Sequence, residues 1–491
     1  MSVAIVWFRR DLRLADNPAL TAAQAAHERV LPVYVHAPDE EAPWAPGGAS
    51  RWWLHHSLAA LDADLRRCGA TLHIARGPSL RALDDLIAKT GAGAVYWNRL
   101  YEPAAMARDR AIKDALRARG IAAHSSNAAL LFEPWQLQTG QGDPYRVFTP
   151  FWRKARTRLQ PQAPTAAPAR IASPPLPASL PLTALGLLPR TVWDAGLAAA
   201  WTPGAAGAQA RLDLFGEAAL GGYKVQRDFP DRVGTSRLSP HLHFGEVSPR
   251  QVVWQLGKLA RADHGAAASE VAEPYIRELG WREFAHHLLY HFPQAPTANL
   301  NPRFDRFPWA PDDTEALARW QRGRTGIPIV DAGMRELWRS GWMHSRVRMI
   351  VASFLTKNLR LHWRHGARWF WDTLVDADLA NNIQGWQWSA GSGAVLSHLQ
   401  SGDAGAAVRS CRPLRAALAA RAGRGAGRAA AAAVAGSGAA APLRLSGADG
   451  RSAQLARGRT GGVSADARRG LIRPPARRRA HASAARPAPA A

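Results

Sequence analysis

A chain of 491 residues with 20 tryptophans is long enough for two domains with full cores, and its two cysteines, Cys68 and Cys411, exclude a disulfide framework. The formal charge of +25 is uneven: after Ala394 there are 17 arginines against 3 aspartates, a net +14 that leaves +11 on residues 1 to 394. That balance favours a polyanionic partner, while the short VAIVWF start followed by RRDLR and the lack of a long apolar run argue against a signal peptide or membrane span and predict a cytoplasmic protein.

Residues 3–8 are a compact apolar run, and similar runs recur at 30–35, 71–74 and 94–97, with helical patterns between them at 52–65 and 80–87. Strands alternating with helices imply a parallel sheet covered on both faces. Residues 1–132 therefore predict an α/β domain with a doubly wound, Rossmann-like parallel sheet. From residue 160 to about 203 the text turns to proline, alanine and leucine, which blocks helix interiors and central strands. Residues 133–205 read as a linker extended over a neighbouring domain. Beyond it the pattern is helical. Ser239-Pro240 and Ser248-Pro249 each read as an N-cap followed by proline at the first helical position, and residues 274–292 form an amphipathic helix carrying Glu278, Trp281, Arg282 and Glu283. Residues 206–394 predict a second, all-α domain. Residues 395–491 contain no Trp, Tyr, Phe, Glu or Lys. They read either as a basic nucleic-acid-binding arm or, preferably, as a disordered or out-of-frame stretch that cannot build a core.

The stretch 342–388 is the centre of the helical domain. Val347, Ile350, Val351, Phe354 and Leu355 make a 3.6-period stripe, with Arg346, Arg348, Lys357 and Arg360 mostly on other faces. Further on, Asp376, Asp378, Asn381 and Asn382 fall in a turn-rich segment closed by Gly385, among Trp363, Trp369, Trp371, Trp386 and Trp388. Carboxylates and amides set among large aromatic rings suit a planar, polar-edged ligand such as a flavin. Taken singly, the acids and amides read as helix caps and the indoles as ordinary core. The joint pattern is what points to a cofactor.

WFRRDLRLADNPAL (7–20), GTSRLSPHLHFGEVSP (234–249), ELGWREF (278–284), TGIPIVDAGMREL (325–337) and the 342–388 stretch, in that order, resemble the DNA photolyase and cryptochrome family. The similarity lies nearest the bacterial enzymes that repair cyclobutane pyrimidine dimers. The resemblance implies an N-terminal antenna domain with a second chromophore of the folate or deazaflavin type, and a helical domain holding FAD in a bent conformation. It gives Thr235, Ser236, Arg237, Leu238 and Ser239 the FAD phosphates, although the same loop reads as a cap, and puts Tyr223 on the adenosine-phosphate side. Arg348 and Asp376 become an ion pair against the isoalloxazine, Asp378 bonds its pyrimidine edge, Ala377 joins the cofactor-binding set, and Asn382 faces N5. The implied partner is UV-damaged DNA. Glu278 contacts the dimer and donates a hydrogen bond or proton, which requires a carboxyl raised by burial. Trp281 and Trp388 line the dimer cavity, Met349 lies on its floor, Ser345 stands near it, and Arg227, Arg282 and Arg346 grip the strand. Trp386, Trp363 and Trp309 match a relay of three indoles that reduces the flavin in light. The implied reaction is light-driven dimer splitting by an electron from excited reduced FAD, carried out by a monomer with no membrane partner.

Three departures qualify the resemblance. Ser345 stands where the family usually has Asn. Ala104 and Ala105 replace polar folate ligands, which removes support for folate at that position. The Arg/Ala/Gly tail stands in place of an aromatic, phosphate-contacting region, which predicts poor solubility or weak flavin retention. The rival readings are a cryptochrome-like blue-light receptor without repair, against which Glu278, Trp281 and Asn382 weigh, and a light-independent nucleic-acid-binding protein with a vestigial site. A metal hydrolase on His241, His243, His286, His287 and His291 lacks acidic or thiolate partners at ligand spacing, and no metal is expected.

Overall fold

Short parallel strands of mostly apolar residues need cover on both faces, and the N-terminal part of the chain supplies it from its own crossover helices. The computed structural model describes residues 2–160, 162–175 and 177–393; the tail and the disorder or frame shift expected of it lie outside the described residues. Val3–Phe8 (β1), Arg29–His36 (β2), His73–Arg76 (β3), Ala94–Asn98 (β4) and Ala122–Ser126 (β5) pair in parallel in the order β3-β2-β1-β4-β5. In β1 the residues alternate between two cores. Ala4, Val6 and Phe8 pack with Leu20 of Pro18–Ala26 (α1) and Trp52, Trp53 and Leu58 of Gly48–Arg67 (α2). Ile5 and Trp7 pack with Leu83 and Leu86 of Ser79–Thr90 (α3) and Ile112 and Leu116 of Pro103–Arg117 (α4).

The apolar runs locate β1, β2 and β4, but the third strand starts two residues later than its run, and β5 has no run at all. Its AAHSS sequence is an edge strand defined by pairing with β4, Val95 opposite Ala123 and Trp97 opposite Ser125, a tertiary contact that overrides weak strand propensity.

The proline-rich connector is strapped to the sheet domain. The Ile171 N–H donates to the Cys68 carbonyl at 2.8 Å, Val30 N–H to Ala172 at 2.8 Å and Leu180 N–H to Ile74 at 3.0 Å. Its segment is not wholly extended, because Phe148–Arg158 (α5) and Ala195–Ala200 (α6) interrupt it.

The helical part comprises Ala205–Ala218 (α7), Tyr223–Gln226 (α8), Ser239–His243 (α9), Pro249–His264 (α10), Ala268–His291 (α11), Thr314–Gln321 (α12), Pro328–Ser340 (α13), Ser345–Ser353 (α14), Trp363–Thr373 (α15) and Leu379–Ala390 (α16). Ser248 caps α10 as expected, its Oγ accepting from Gln251 N–H within a full capping box. The Ser239 cap does not form: Leu238 holds the N-cap position and Ser239 is the first helical residue. α11 begins six residues before Pro274, with the extra turn held by buried Ala268 and Ala272. α14 runs on into a π-helical turn, Phe354–Asn358, a widening that recurs at functional sites.

The N-terminal WFRRDLRLADN segment fastens the helical part to the sheet. Buried Arg13 donates to the carbonyls of Gly245 (2.8 Å), Asp16 (2.7 Å) and Ala128 (3.0 Å), and Ser248 Oγ and Arg250 reach Asp16. Gly245 has φ +66°, and a Cβ there would lie 2.2 Å from the Arg10 carbonyl oxygen, so this contact needs glycine. Among the described residues, no helix is long and apolar enough to cross a membrane.

Candidate active site

The turn between α15 and α16 gathers the polar groups. Asp378 N-caps α16, its Oδ1 accepting from Asn381 N–H at 2.8 Å and from Asn381 Nδ2 at 2.7 Å. The capping reading of this segment is thus correct for Asp378, yet its second oxygen remains for other work. Oδ2 lies 3.4 Å from His286 Nε2 and 3.7 Å from His243 Nδ1. Burial opposes the Asp378 charge, but His286 and His243 outweigh it and hold the carboxyl well below the usual range. Burial likewise opposes the His286 imidazolium, and Asp378 outweighs it and raises His286. Neither histidine belongs to the residues the sequence assigned to this site. His286 was legible only as part of a histidine group, since α11 and α16 meet only in the folded chain.

Two residues before Asp378, Asp376 receives both bonds of Arg348 Nη2, at 3.1 and 2.8 Å, while Arg348 Nε donates to the Met343 carbonyl at 2.8 Å. One turn into α16, buried Asn382 donates through Nδ2 to the Ala367 carbonyl at 2.9 Å. That bond fixes the amide and leaves Oδ1 buried with no partner, a costly arrangement unless a donor meets it. His344 caps α14, its Nδ1 accepting from Arg346 N–H at 3.2 Å. Burial, with Arg346 and Arg348 adjacent, pushes it down to about 4, and its Nε2 is also buried without a partner.

In the 235–239 loop Ser236 Oγ is 2.8 Å from the Tyr275 hydroxyl and accepts from Leu238 N–H at 3.2 Å. Arg237 sits at φ +54° with its guanidinium 4.5 Å from the Trp342 ring centre, a strained backbone of the kind found at ligand clamps. Tyr223 is buried, in edge contact with Phe215 and Tyr275.

The residues expected on the substrate side separate into two groups. Glu278 is held by Arg227 at 2.7 Å and its side chain is 34% exposed, so the burial expected of it is only partial. Trp281 stacks on Phe148 with ring centres 3.5 Å apart. Arg346 pairs with Asp228 at 2.7 Å and also points Nη1 at Met349 Sδ, 3.6 Å away. Ser345 is exposed and Trp388 half-buried. Arg282, expected to grip a strand, is turned inward: its guanidinium donates to the Ala129 carbonyl at 2.7 Å and is 12% exposed. It ties α11 to the segment after β5.

Trp386 and Trp363 are buried in one apolar cluster, with Trp309 packed against it half-buried. Trp386 fills the space over Gly366, where a Cβ would lie 2.0 Å from its ring. Trp363 Nε1 donates to Asn299 at 3.1 Å. His362 bridges the other two rings, with centres 5.6 Å from Trp363 and 4.9 Å from Trp309. The remaining histidines of the metal reading have structural partners. His241 is 2.5 Å from Glu246, and His287 and His291 face the Pro134 carbonyl at 3.1 and 3.2 Å.

Outside the carboxyl ends of β1 and β2 a cavity of about 190 Å³ opens among Trp7, Tyr34, His36, Arg51, His243 and Trp371, the crevice position where open parallel sheets take ligands. Ala104 and Ala105 line a separate cavity of about 160 Å³.

A doubly wound sheet docked on a helical cradle of carboxylates, amides and indoles defines a two-domain protein built around a large planar cofactor. Residues 4–170 match the DNA photolyase domain and residues 275–403 the FAD binding domain of DNA photolyase, and the chain belongs to the DNA photolyase and cryptochrome family. A deoxyribodipyrimidine photo-lyase of Agrobacterium fabrum is 50% identical over 396 residues, 80% of this chain and 81% of that one. Cryptochrome-1 of Arabidopsis thaliana is 42% identical over 407 residues, 79% of this chain and 58% of that one. The crystal structure of a bacterial class III photolyase from Agrobacterium tumefaciens superposes with a TM-score of 0.77 at 49% identity, covering 81% of both chains. An archaeal photolyase from Sulfolobus tokodaii, solved with two FAD molecules, gives 0.68 at 29% identity, covering 80% and 84%.

Proposed function

We propose that this chain is a light-driven lyase that splits cyclobutane pyrimidine dimers in UV-damaged DNA, with FAD in its helical domain. The observation that carries the reading is the buried, unpartnered Asn382 Oδ1, one helical turn from Asp378, in the segment that also carries the Arg348–Asp376 pair and within residues that match an FAD binding domain. An acceptor held there suits a ring N–H such as N5–H of a reduced flavin.

FAD, when bound and reduced, supplies the electron that light drives onto the dimer. The protein's share is placement. Arg348, Asp376, Ala377 and Asp378 would hold the isoalloxazine, with the anionic Asp378 as an acceptor for its pyrimidine edge and Asn382 as an acceptor for its N5 side. Tyr223, Thr235, Ser236, Arg237, Leu238 and Ser239 take the adenosine and phosphate side, where free backbone N–H groups and hydroxyls serve as donors. Trp281, Met349 and Trp388 line the lesion cavity and exclude water from it. Glu278, released from Arg227, contacts the dimer, while Arg227 and Arg346 hold backbone phosphates. Photolyases are themselves among the standard examples of base extrusion, at a cost of a few kcal/mol that is least for damaged bases. Trp386, Trp363 and Trp309, packed in one cluster, would supply the path for reducing the cofactor. The cavity at the carboxyl ends of β1 and β2 takes the second chromophore. Residues 1–132 act as the antenna domain and 206–394 as the FAD domain, joined by 133–205, and the chain works as a monomer in the cytoplasm.

The test is light-dependent dimer reversal in UV-irradiated oligothymidylate, using the 491-residue chain with FAD and reductant beside a dark control. Reversal in light alone is expected. A FAD-loaded preparation that reverses no dimers would sink the lyase assignment and favour a sensory role like that of the cryptochrome relatives.

A further inference from the structure

Asp378 has its Oδ1 taken by Asn381, and its Oδ2 is turned toward His286 of α11. We propose, resting on the FAD reading above, that His286 is a buried imidazolium whose charge offsets Asp378 and so strengthens the hold on the anionic, two-electron-reduced form of FAD relative to the oxidised form. His286 is then a positioning residue for charge, acting through Asp378 rather than by touching the cofactor.

The surroundings of the ring require the charge. His286 is 5% exposed. Its Nδ1 lies 3.0 Å from the Arg282 carbonyl oxygen, an acceptor that only an N–H can meet, and its Nε2 lies 3.4 Å from Asp378 Oδ2. A neutral imidazole carries a single N–H. Placed on Nδ1, that hydrogen leaves the Nε2 lone pair turned toward a carboxylate; placed on Nε2, it leaves the Nδ1 lone pair against a carbonyl. Only the imidazolium presents a hydrogen to both. Asp378 accordingly raises His286 against the burial that opposes it.

The other charged and titratable groups around this pair have partners of their own. Arg282, on α11, opposes the imidazolium, yet its guanidinium is drawn away to the Ala129 carbonyl at 2.7 Å. Glu283 accepts from the backbone N–H groups of Leu131 and Phe132 at 2.9 and 3.1 Å. Tyr101, after β4, stands edge-on to the His286 ring with centres 6.4 Å apart and donates its hydroxyl to Glu133 at 2.8 Å. Arg10, after β1, is paired with Glu102 at 2.7 Å. His243 of α9 lies 3.7 Å from Asp378 Oδ2. Of the basic groups among these, His286 comes closest to Asp378.

The balance of charge decides which form of the cofactor the site favours. Arg348 and Asp376 offset one another at 2.8 Å. Asp378 is held ionised. Reduction of FAD takes up two electrons and one proton and leaves one negative charge on the cofactor. Beside a neutral His286, Asp378 would be a buried anion repelling that charge, and such repulsion is strong where water is excluded. Beside the imidazolium, the Asp378–His286 pair is neutral and the repulsion is removed.

The experiment measures the midpoint potential of FAD bound to the full 491-residue chain by dithionite titration against reference dyes, with affinity for oxidised FAD read separately from flavin fluorescence. His286→Gln removes the charge and keeps a donor, His286→Arg keeps the charge in another shape, and His291→Gln alters a neighbouring histidine of the same helix. Thermal melts check that each is folded. His286→Gln is expected to lower the potential by at least about 30 mV, which in a two-electron couple is a tenfold loss of preference for the reduced form, with a smaller change in affinity for oxidised FAD. His286→Arg is expected to stay near the parent, and His291→Gln to match it. In the FAD-free chain, the histidine nitrogen-15 signals that His286→Arg removes are expected to be those of an imidazolium near neutral pH, a readout that does not depend on His286→Gln folding. An unchanged potential in His286→Gln, an equal fall in His286→Arg, or neutral-imidazole signals would overturn the proposal while leaving the FAD reading intact. A parent chain that takes up no FAD would sink that reading and this inference together.

Discussion

Gly366→Ala sets a propensity gain against a packing loss in one methyl group. Gly366 lies inside α15, where glycine costs about 1 kcal/mol relative to alanine. An isolated helix would therefore gain from the change. In the protein the added Cβ would fall 2.0 Å from Trp386 Cη2 and 2.4 Å from Cζ2 and Cζ3. To restore contact at about 3.5 Å the indole must withdraw by about 1.5 Å. Trp386 is 2% exposed and wedged against Phe370 and Trp320, with ring centres 5.0 and 6.1 Å away, so it has nowhere to retreat. Overpacking of this kind costs about 1–3 kcal/mol, and so large a displacement belongs at the upper end. Subtracting the propensity gain leaves a net loss of about 2 kcal/mol. Urea unfolding at fixed FAD concentration, so that ligand linkage is constant, reads the stability. The rate of light-driven FAD reduction reads the displaced Trp386. Trp386→Phe removes the clashing outer ring, so the double variant should be more stable than the two single losses summed, by about 1–2 kcal/mol. An alanine variant as stable as the parent or more so, with unaltered photoreduction, would refute the close packing of α15 on α16.

The Asp378–His286 contact gives stability a defined pH window. Asp378, held low, contributes above its unfolded value near about 4 and loses that contribution only as pH falls through its lower folded value. His286, held high, contributes below about 6.5 and loses it as pH rises through its folded value. The urea midpoint should thus decline above about pH 6.5, and His286→Asn should remove that arm; an unchanged alkaline slope would contradict the pairing. Glu278→Gln should retain FAD yet lower light-dependent repair by about 10- to 100-fold, the worth of one hydrogen bond to a charged group, as measured by dimer reversal at fixed light dose. Arg346→Ala should weaken binding to damaged and intact DNA alike and reduce the log–log salt slope by about one, whereas a variant altering only lesion preference would argue against a phosphate contact. Gly245→Ala, with its Cβ 2.2 Å from a backbone carbonyl at φ +66°, should lower thermal stability sharply, by more than about 2 kcal/mol, and a neutral melt would show that the contact with the Arg10 carbonyl is dispensable.

Strands β1, β2 and β4 were legible because continuous apolar runs bounded by helical patterns admit few arrangements, and Ser248-Pro249 announced the start of α10 through purely local chemistry. Local chemistry misled at Ser239, whose cap was displaced by one residue, and at Pro274, which packing absorbed inside α11. AAHSS could not announce β5, since only the neighbouring strand makes it one. In the site, the order of residues along the chain already named the groups present: carboxylates, amides and indoles within a few dozen residues, ordered like those of photolyases. The tertiary structure decided what each one faces. It joined Arg348 to Asp376 across 28 positions, set His286 and His243 against Asp378, turned Arg282 inward to Ala129, and gave Glu278 to Arg227. Spacing along a chain fixes contacts only within a strand or a turn of helix. Partners on different elements are fixed by how those elements pack, and the energy that selects the packing lies in the buried cores rather than in the polar residues that the packing brings together.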